Sequence, residues 1–243
     1  YAGTLWFDYD TFAQRGQIWR TDDGKNWEKV FDADIEHISA LTVFKEELYA
    51  GGSSPGTPGR IWRSKDGLVW NEVMSDGFGN ASNGIVRMAV YKNNLYASTW
   101  DWETGTEIWR TRNGEDWELF LGPGLNGDPN NMGAICSEIF NDQLYWGTTY
   151  NWVTGGQIWR TDGKTSEVVV SDGFGDPMNF NISALTSFGS ELYAAVGNDH
   201  GYVEIWRSSD GIQWEQAYET RRPDYIPFIG MEVYREDLYA VMG

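Results

Sequence analysis

The stretch Ile18-Trp19-Arg20-Thr21-Asp22-Asp23-Gly24-Lys25-Asn26-Trp27 decides the fold, because its parts return along the whole chain of 243 residues. The triplet Ile-Trp-Arg occurs five times, at intervals of 43, 47, 50 and 47 residues. Its tryptophans are Trp19, Trp62, Trp109, Trp159 and Trp206. A period of about 45 residues made of strand-like runs is typical of four-stranded sheets arranged around an axis, so the repeat predicts the blades of a β-propeller.

Each repeat contains four strand-like runs, which we number from the axis outward. The first run is rich in small and apolar residues, and the second is Leu-Tyr-Ala or a close variant that follows a short polar turn. The tyrosines of the second run are Tyr1, Tyr49, Tyr96, Tyr145, Tyr193 and Tyr239. Ile-Trp-Arg is the third run, and the fourth begins at a further set of tryptophans, Trp27, Trp70, Trp117 and Trp214.

The count of runs predicts one all-β domain over residues 1–243, a β-propeller of about five four-stranded blades. Such a ring uses four strands per blade, whereas the second run occurs once more than the others, so either Tyr1 or Tyr239 belongs to a surplus strand. We expect the run at residues 228–234 to join residues 18–20 in the first blade and so close the ring. If the natural chain continues beyond Gly243, six or more blades are the alternative.

A turn with Asp or Asn before Gly joins the third and fourth runs in four of the repeats. This pair is a strong hairpin signal, because the side chain can accept hydrogen bonds from turn amides while Gly tolerates a positive φ. The residues before the glycines are Asp23, Asp66, Asn113 and Asp210. The remaining copy, Thr161-Asp162-Gly163-Lys164, is shortened and lacks the closing tryptophan.

These turns and their flanking strands resemble the Asp-box, or BNR, repeats of sialidase-like and xyloglucanase-like β-propellers. The resemblance spans the whole chain, although the commonest family form has one more residue between Asp and Gly. It implies a propeller fold in which the Asp boxes are structural turn locks remote from catalysis. It implies no particular activity.

Charge and composition exclude several classes of partner. The formal net charge is −18, from 18 basic and 36 acidic side chains, and the pI is near 4.3. Such a charge repels nucleic acid and anionic lipid surfaces, and no run of about 18 apolar residues predicts membrane insertion. The opening Tyr1-Ala2-Gly3, without a methionine, predicts either a processed mature form or an excised fragment, and of these we favour the first, a secreted or cell-surface protein. The single Cys136 lies in an apolar run and predicts a buried thiol.

The candidate ligand site is the side of the propeller that carries the second-to-third and fourth-to-first loops. There, aromatic residues stand beside carboxylates and amides without being needed for a turn. Flat rings can stack on the C–H faces of a sugar while Asp and Asn bind its hydroxyls. The candidates are Trp6, Asp8, Tyr9, Trp100, Asp101, Trp102, Tyr150, Asn151, Trp152, Asp199 and His200. Two alternatives stay open: the loops bind a peptide, or the tryptophans pack over neighbouring blades and shield the core.

The fourth-to-first loops contain two near-identical Asp-Gly-Phe-Gly copies, at residues 76–79 and 172–175. Their repetition predicts a structural loop whose phenylalanine packs between blades. The alternative is that Asn131, Asn179 and their neighbours line the mouth of the axial channel.

Catalysis and metal binding have weaker support in the sequence. The arginines of Ile-Trp-Arg repeat in every blade, which predicts a packing or pairing role within the blades, against the Asp-box or a neighbouring carboxylate, rather than a sialidase-type arginine cluster. A glycoside hydrolase needs two carboxylates about 5 to 10 Å apart. The acidic residues on the favoured side are Asp8, Asp10, Asp101, Glu103 and Asp199. The two histidines, His37 and His200, belong to different loops, and Asp8-x-Asp10 lacks the further ligands of a calcium loop, so we expect no metal and no cofactor.

These patterns favour a non-catalytic binding or interaction module, exported from the cell, that engages a glycan or a protein through its Trp/Asp/Asn-rich loops. Two alternatives come from other classes. One is a glycoside hydrolase with an acidic pair on the same side, and the other is a structural component of a larger surface assembly.

Overall fold

A computed structural model describes residues 1–7, 14–221 and 229–242. The fold is the predicted all-β β-propeller, and the chain forms two compact units, Tyr1–Gly122 and Pro123–Gly243. The prediction of a single domain stays a prediction. The described residues contain 21 strands, one more than five four-stranded blades use, in agreement with the surplus second run.

The first unit contains the strands of blades 1, 2 and 3, paired antiparallel in chain order within each blade. Blade 1 has β1 (Ala2–Phe7), β2 (Gln14–Arg20) and β3 (Glu28–Ala33). Blade 2 has β4 (His37–Phe44), β5 (Glu47–Ser53), β6 (Arg60–Ser64) and β7 (Asn71–Met74). Blade 3 has β8 (Gly84–Tyr91), β9 (Asn94–Trp100), β10 (Ile108–Thr111) and β11 (Trp117–Leu121), and the 3-10 turn Gly77–Gly79 precedes it.

The second unit contains blades 4 and 5 and a terminal hairpin. Blade 4 has β12 (Gly133–Phe140), β13 (Gln143–Thr149), β14 (Ile158–Thr161) and β15 (Ser166–Val170). Blade 5 has β16 (Asn181–Phe188), β17 (Glu191–Gly197), β18 (Tyr202–Ser208) and β19 (Glu215–Arg221). The hairpin has β20 (Ile229–Tyr234) and β21 (Asp237–Met242). The helical segments are α1 (Pro123–Gly127) and the 3-10 turn Gly173–Gly175.

The expected ring closure through residues 228–234 is not among the described strand pairings. In those pairings β20 bonds to β21 in a two-stranded sheet, and β2 already has β1 on one edge and β3 on the other. Closure by the terminal strands therefore stays a prediction.

The apolar core lies between adjacent blades. One cluster joins Phe44 and Tyr49 of blade 2 to Ile85 and Met88 of blade 3, and a second joins blades 4 and 5 in the same way. The second-run tyrosines Tyr49, Tyr96 and Tyr145 are at most 2% exposed, so blades 2, 3 and 4 bury the tyrosine of this run. Tyr193 is half-buried, and Tyr1 and Tyr239 are exposed.

The turns between third and fourth strands use their side chains as local hydrogen-bond acceptors. In blade 2, Asp66 Oδ1 accepts from the amides of Leu68 (2.8 Å) and Val69 (2.9 Å), and Ser64 Oγ accepts from Gly67 N (2.8 Å). The same pattern recurs at Asp23, Asn113, Asp162 and Asp210. These amide donors hold the pKa of the Asp23, Asp66 and Asp210 carboxyls below their ordinary value.

Three of these turn glycines, Gly67, Gly114 and Gly211, are in contact with a tyrosine hydroxyl. Gly114 has a φ of +83°, and a Cβ placed on it would overlap the Tyr49 hydroxyl and lie 2.7 Å from Tyr49 Cζ. Gly211 has the same relation to Tyr145. Because each tyrosine comes from the preceding blade in the same unit, the turn glycine is required both for its backbone conformation and for blade packing.

The repeated arginines pair with carboxylates, as predicted. In four blades the arginine of Ile-Trp-Arg bonds a glutamate opposite it on the fourth strand, in the pairs Arg20–Glu28, Arg110–Glu118, Arg160–Glu167 and Arg207–Glu215. In blade 2 the opposite residue is Asn71, and Arg63 instead bonds Glu47 (3.2 Å) and Glu115 of blade 3 (2.9 Å). We therefore assign these arginines to ion pairs that stabilise the blades rather than to ligand contact.

The single cysteine lies in the core. Cys136 is 6% exposed, with Sγ 3.2 Å from the carbonyl oxygen of Ile182, so the predicted buried thiol is confirmed.

No helix in the described ranges is long and apolar enough to cross a membrane. Residues 1–7, 14–221 and 229–242 contain no group of three or more His, Cys, Asp or Glu side chains that could hold a metal ion.

Candidate functional site

The second-to-third loop of blade 3 is built around a buried carboxylate. Asp101 is 1% exposed, and its Oδ1 accepts from the amides of Glu103 (2.7 Å) and Thr104 (3.0 Å). Its Oδ2 accepts from Asn80 Nδ2 (2.8 Å), in the loop that leads into the same blade. We call such a residue the locking residue, because it closes the loop on itself and ties it to the neighbouring loop.

Blades 4 and 5 have locking residues at the equivalent place, and both are asparagines. Asn151 is fully buried, accepts from the amides of Val153 (3.1 Å) and Thr154 (2.9 Å), and donates to Asp128 Oδ2 (3.0 Å). Asn198 accepts from His200 N (2.8 Å) and donates to Asp176 Oδ2 (3.1 Å). In blade 3 the locking residue is the acceptor, and the asparagine of the preceding loop donates. In blades 4 and 5 the locking residue is the donor, and an aspartate of the preceding loop accepts.

A second buried layer lies beneath the locking residues. Asn179 Nδ2 donates to Glu204 Oε2 (3.0 Å), and Glu204 Oε2 also accepts from Trp206 Nε1 (2.7 Å). Blades 3 and 4 repeat this layer with Asn83, Glu107 and Trp109, and with Asn131, Gln157 and Trp159. The alternative that Asn131 and Asn179 line a channel mouth is wrong, because both side chains are at most 1% exposed and their amides bond within the protein.

Glu204 provides a test of this layer, because the equivalent residue in blade 4 is Gln157. Burial raises the pKa of the Glu204 carboxyl, so its ionised form is disfavoured in the folded state. The variant Glu204→Gln keeps an oxygen acceptor for Asn179 and Trp206, and we expect it to be at least as stable as the wild type at pH 7. Because protonation of Glu204 removes the same penalty, the advantage of the variant should shrink as pH falls through the raised pKa.

Urea unfolding at pH 7 and pH 5 measures this difference, and Glu204→Leu is the control, since it removes the acceptor. A large loss of stability in Glu204→Gln at pH 7 would show that the charge itself is needed.

The phenylalanines of the Asp-Gly-Phe-Gly loops pack on blade tryptophans, as predicted. Phe78 stacks on Trp109 with ring centroids 4.7 Å apart, and Phe174 stacks on Trp206 at 4.4 Å. Both phenylalanines have positive φ, near +61° and +62°, and each lies between two glycines that also have positive φ. These loops are therefore structural.

The residues that follow the locking residues reach the solvent. Trp102 is 61% exposed and Trp152 is 37% exposed, whereas blade 5 presents exposed Asp199 and His200 at this place. We call these four residues the loop tips. Trp100 and Tyr150 are half-buried and contact the tip tryptophans edge-on, at 5.2 and 5.0 Å between ring centroids. Asp8 and Tyr9 lie outside the described residues, as does the side chain of Trp6.

The locking residues are not available to a ligand. Every oxygen of Asp101 accepts a hydrogen bond inside the protein, and Asn151 uses both its oxygen and its amide in the same way. We therefore assign these two residues to loop structure rather than to ligand contact. Among the acidic candidates that the structure describes, Glu103 and Asp199 are exposed.

Shallow depressions also lie on the opposite side, next to the Asp-Gly turns. The one in blade 3 is lined by Arg110, Asn113, Trp117 and Glu118, among others. Its arginine and glutamate already form an ion pair at 2.6 Å, and Asn113 bonds its own turn. The loop-tip side therefore remains the better candidate site, because its tryptophans Trp102 and Trp152 are exposed to solvent.

Comparison with known proteins supports the fold. No protein-family model matches the chain, and no curated protein matches it. A novel α-L-arabinofuranosidase from Clostridium thermocellum has a TM-score of 0.50 at 13% identity, over 84% of this chain and 80% of that chain. A thermostable family-43 glycoside hydrolase has a TM-score of 0.45 at 11% identity, over 84% of this chain and 81% of that chain. At these identities the likeness concerns the fold alone.

Proposed function

We propose that this propeller acts on carbohydrate, and that a glycan binds at the loop tips. The observation that carries the proposal is the pair of solvent-exposed tryptophans, Trp102 and Trp152, each mounted on a loop closed by a buried locking residue. Exposing two large aromatic rings costs hydrophobic free energy, and rigid loops keep those rings from folding inward. Flat aromatic rings that are held in place in this way can stack on the C–H faces of sugars.

Hydrolysis is the second candidate form of this function. It is favoured by the likeness to a solved α-L-arabinofuranosidase, which supports the hydrolase alternative more than a purely non-catalytic module. A hydrolase needs an acid and a base or nucleophile on two carboxylates. Among the described acids, Glu103 in the first unit and Asp199 in the second unit are each exposed beside a loop tip. Asp8 and Asp10 lie outside the described residues, and the sequence places them between the second and third runs of the first repeat. A secreted or cell-surface location suits either form.

The test combines binding and product release on one panel of soluble polysaccharides and oligosaccharides, including a chromogenic α-L-arabinofuranoside. Affinity electrophoresis measures binding, and reducing-sugar or chromophore release measures hydrolysis. We expect the double variant Trp102→Ala/Trp152→Ala to lose binding, whereas Trp27→Ala keeps it, because Trp27 is an exposed tryptophan next to an Asp-Gly turn. Release by the wild type that Asp199→Asn or Glu103→Gln abolishes assigns catalysis to that acid.

Binding without release would establish the non-catalytic module. A wild-type protein that neither binds nor cleaves any member of the panel would refute the proposal.

A further inference from the structure

Trp152 belongs to an ordered aromatic cluster in the second unit. Its ring stacks on Phe180 with centroids 5.0 Å apart and an interplanar angle of 11°. Tyr150 meets both rings edge-on, at 5.0 Å from Trp152 and 5.8 Å from Phe180. Because Phe180 is fully buried, it is a rigid base for the stacked indole. One indole face is thus covered by Phe180, and the residue as a whole is still 37% exposed.

The blade 4 loop contains one residue more than its counterparts, and the extra residue builds this cluster. Asn151 lies seven positions after Leu144, whereas the locking residues of blades 3 and 5 lie six positions after the equivalent leucines, Leu95 and Leu192. The longer loop is accommodated at Tyr150, which has a φ of +62°. For a bulky aromatic residue this conformation is uncommon and costs about 1 to 3 kcal/mol. The longer loop thus places the Tyr150 ring against Trp152, where it holds the exposed indole in position.

We propose that the outer face of Trp152 is a stacking subsite for a single neutral pyranose ring with all-equatorial substituents. This inference rests on the proposed function and adds to it the sugar class. An all-equatorial pyranose presents only axial C–H groups on its faces, so it can lie flat on an indole. An axial hydroxyl projects from one face and prevents close contact between that face and the indole. The net charge of −18 disfavours uronic acids and sulfated sugars through long-range repulsion.

The experiment uses the full chain with cellohexaose, mannohexaose and polygalacturonate as probes, measured by isothermal titration calorimetry. Cellohexaose has all-equatorial glucose units, mannohexaose has an axial hydroxyl on each ring, and polygalacturonate is anionic. We expect cellohexaose to bind more tightly than either of the others. Trp152→Ala should weaken cellohexaose binding by about tenfold or more, and Trp152→Phe, which keeps a flat ring, by less.

Trp27→Ala is the matched control and should bind cellohexaose like the wild type, since Trp27 is a tryptophan of similar exposure, 47%, outside the loop tips. Thermal unfolding of each variant separates a lost contact from a lost fold, and Trp152→Phe keeps the stack on Phe180 if Trp152→Ala is unstable. Wild-type binding to cellohexaose that both Trp152 variants leave unchanged would overturn the subsite but not the proposed function. Preference for mannohexaose or polygalacturonate would overturn the sugar class.

Discussion

Replacement of Gly114 by alanine is expected to lower the free energy of unfolding by about 3 kcal/mol or more. Two costs add. At φ +83° a Cβ is disfavoured by the backbone itself, and the same Cβ would overlap the Tyr49 hydroxyl from the preceding blade. Tyr49 is 2% exposed and closely packed, so it has little room to move away.

Gly24→Ala is the matched control, because Gly24 occupies the same turn position in blade 1 with a φ of +72° and no atom within 4 Å of its Cβ position. This variant should lose only the backbone part, about 1 kcal/mol. The double variant Tyr49→Phe/Gly114→Ala should recover part of the difference, because the overlapping hydroxyl is gone. Urea unfolding measures all three, and equal losses in Gly114→Ala and Gly24→Ala would contradict the tyrosine contact.

The second large effect is expected at the lock of blade 3. Asn80→Asp places a second carboxylate against Asp101, which is 1% exposed and receives the Asn80 amide at 2.8 Å. Two like charges at this distance in a buried site should cost about 3 kcal/mol of unfolding free energy at pH 7. The loss should become smaller at acidic pH, where one carboxyl of the pair is protonated and can donate to the other.

The double variant Asn80→Asp/Asp101→Asn should restore stability to within about 1 kcal/mol of the wild type, because it exchanges donor and acceptor without removing the bond. Its arrangement is the one that blades 4 and 5 already use, in Asp128–Asn151 and Asp176–Asn198. In those blades the locking asparagine also donates to the buried asparagine beneath it, as Asn198 does to Asn179 at 2.8 Å. The new amide can do the same for Asn83 Oδ1, which has no partner among the described residues.

Urea unfolding at pH 7 and pH 5 compares the stability of the wild type, Asn80→Asp and the double variant. The same proteins are assayed for carbohydrate binding and for sugar release. A double variant as unstable as Asn80→Asp would refute the exchange. If the double variant is stable but no longer releases sugar, while Asp199→Asn still does, Asp101 would be a catalytic residue. That result would refute its assignment to loop structure.

Much of the architecture could be predicted because it repeats. The periodic Ile-Trp-Arg triplet identifies the blades, and the identical arginine in each blade indicates a structural pairing, which the Arg110–Glu118 and Arg160–Glu167 pairs confirm. The Asp-Gly turns form from residues two or three positions apart, so their hydrogen bonds follow from local spacing.

The candidate site could be predicted only in part. The side with aromatic loops was visible in the sequence, but Asp101 and Asn151 were expected at the surface and are buried. Their partners Asn80 and Asp128 lie 21 and 23 positions earlier in the chain. A repeating pattern was available in Asn83, Asn131 and Asn179, each followed 24 to 26 positions later by Glu or Gln. Asn and Glu are too common for that spacing alone to indicate a buried layer.

The all-β repeat, its blade period and its local turns follow from the order of residues alone, because periodicity and short-range hydrogen bonding depend on neighbours along the chain. Only the tertiary structure decided which polar side chains are buried supports and which aromatic rings face solvent. That division depends on the approach of two loops from different parts of the chain, since their mutual hydrogen bonds remove Asp101 from the surface and leave Trp102 upon it.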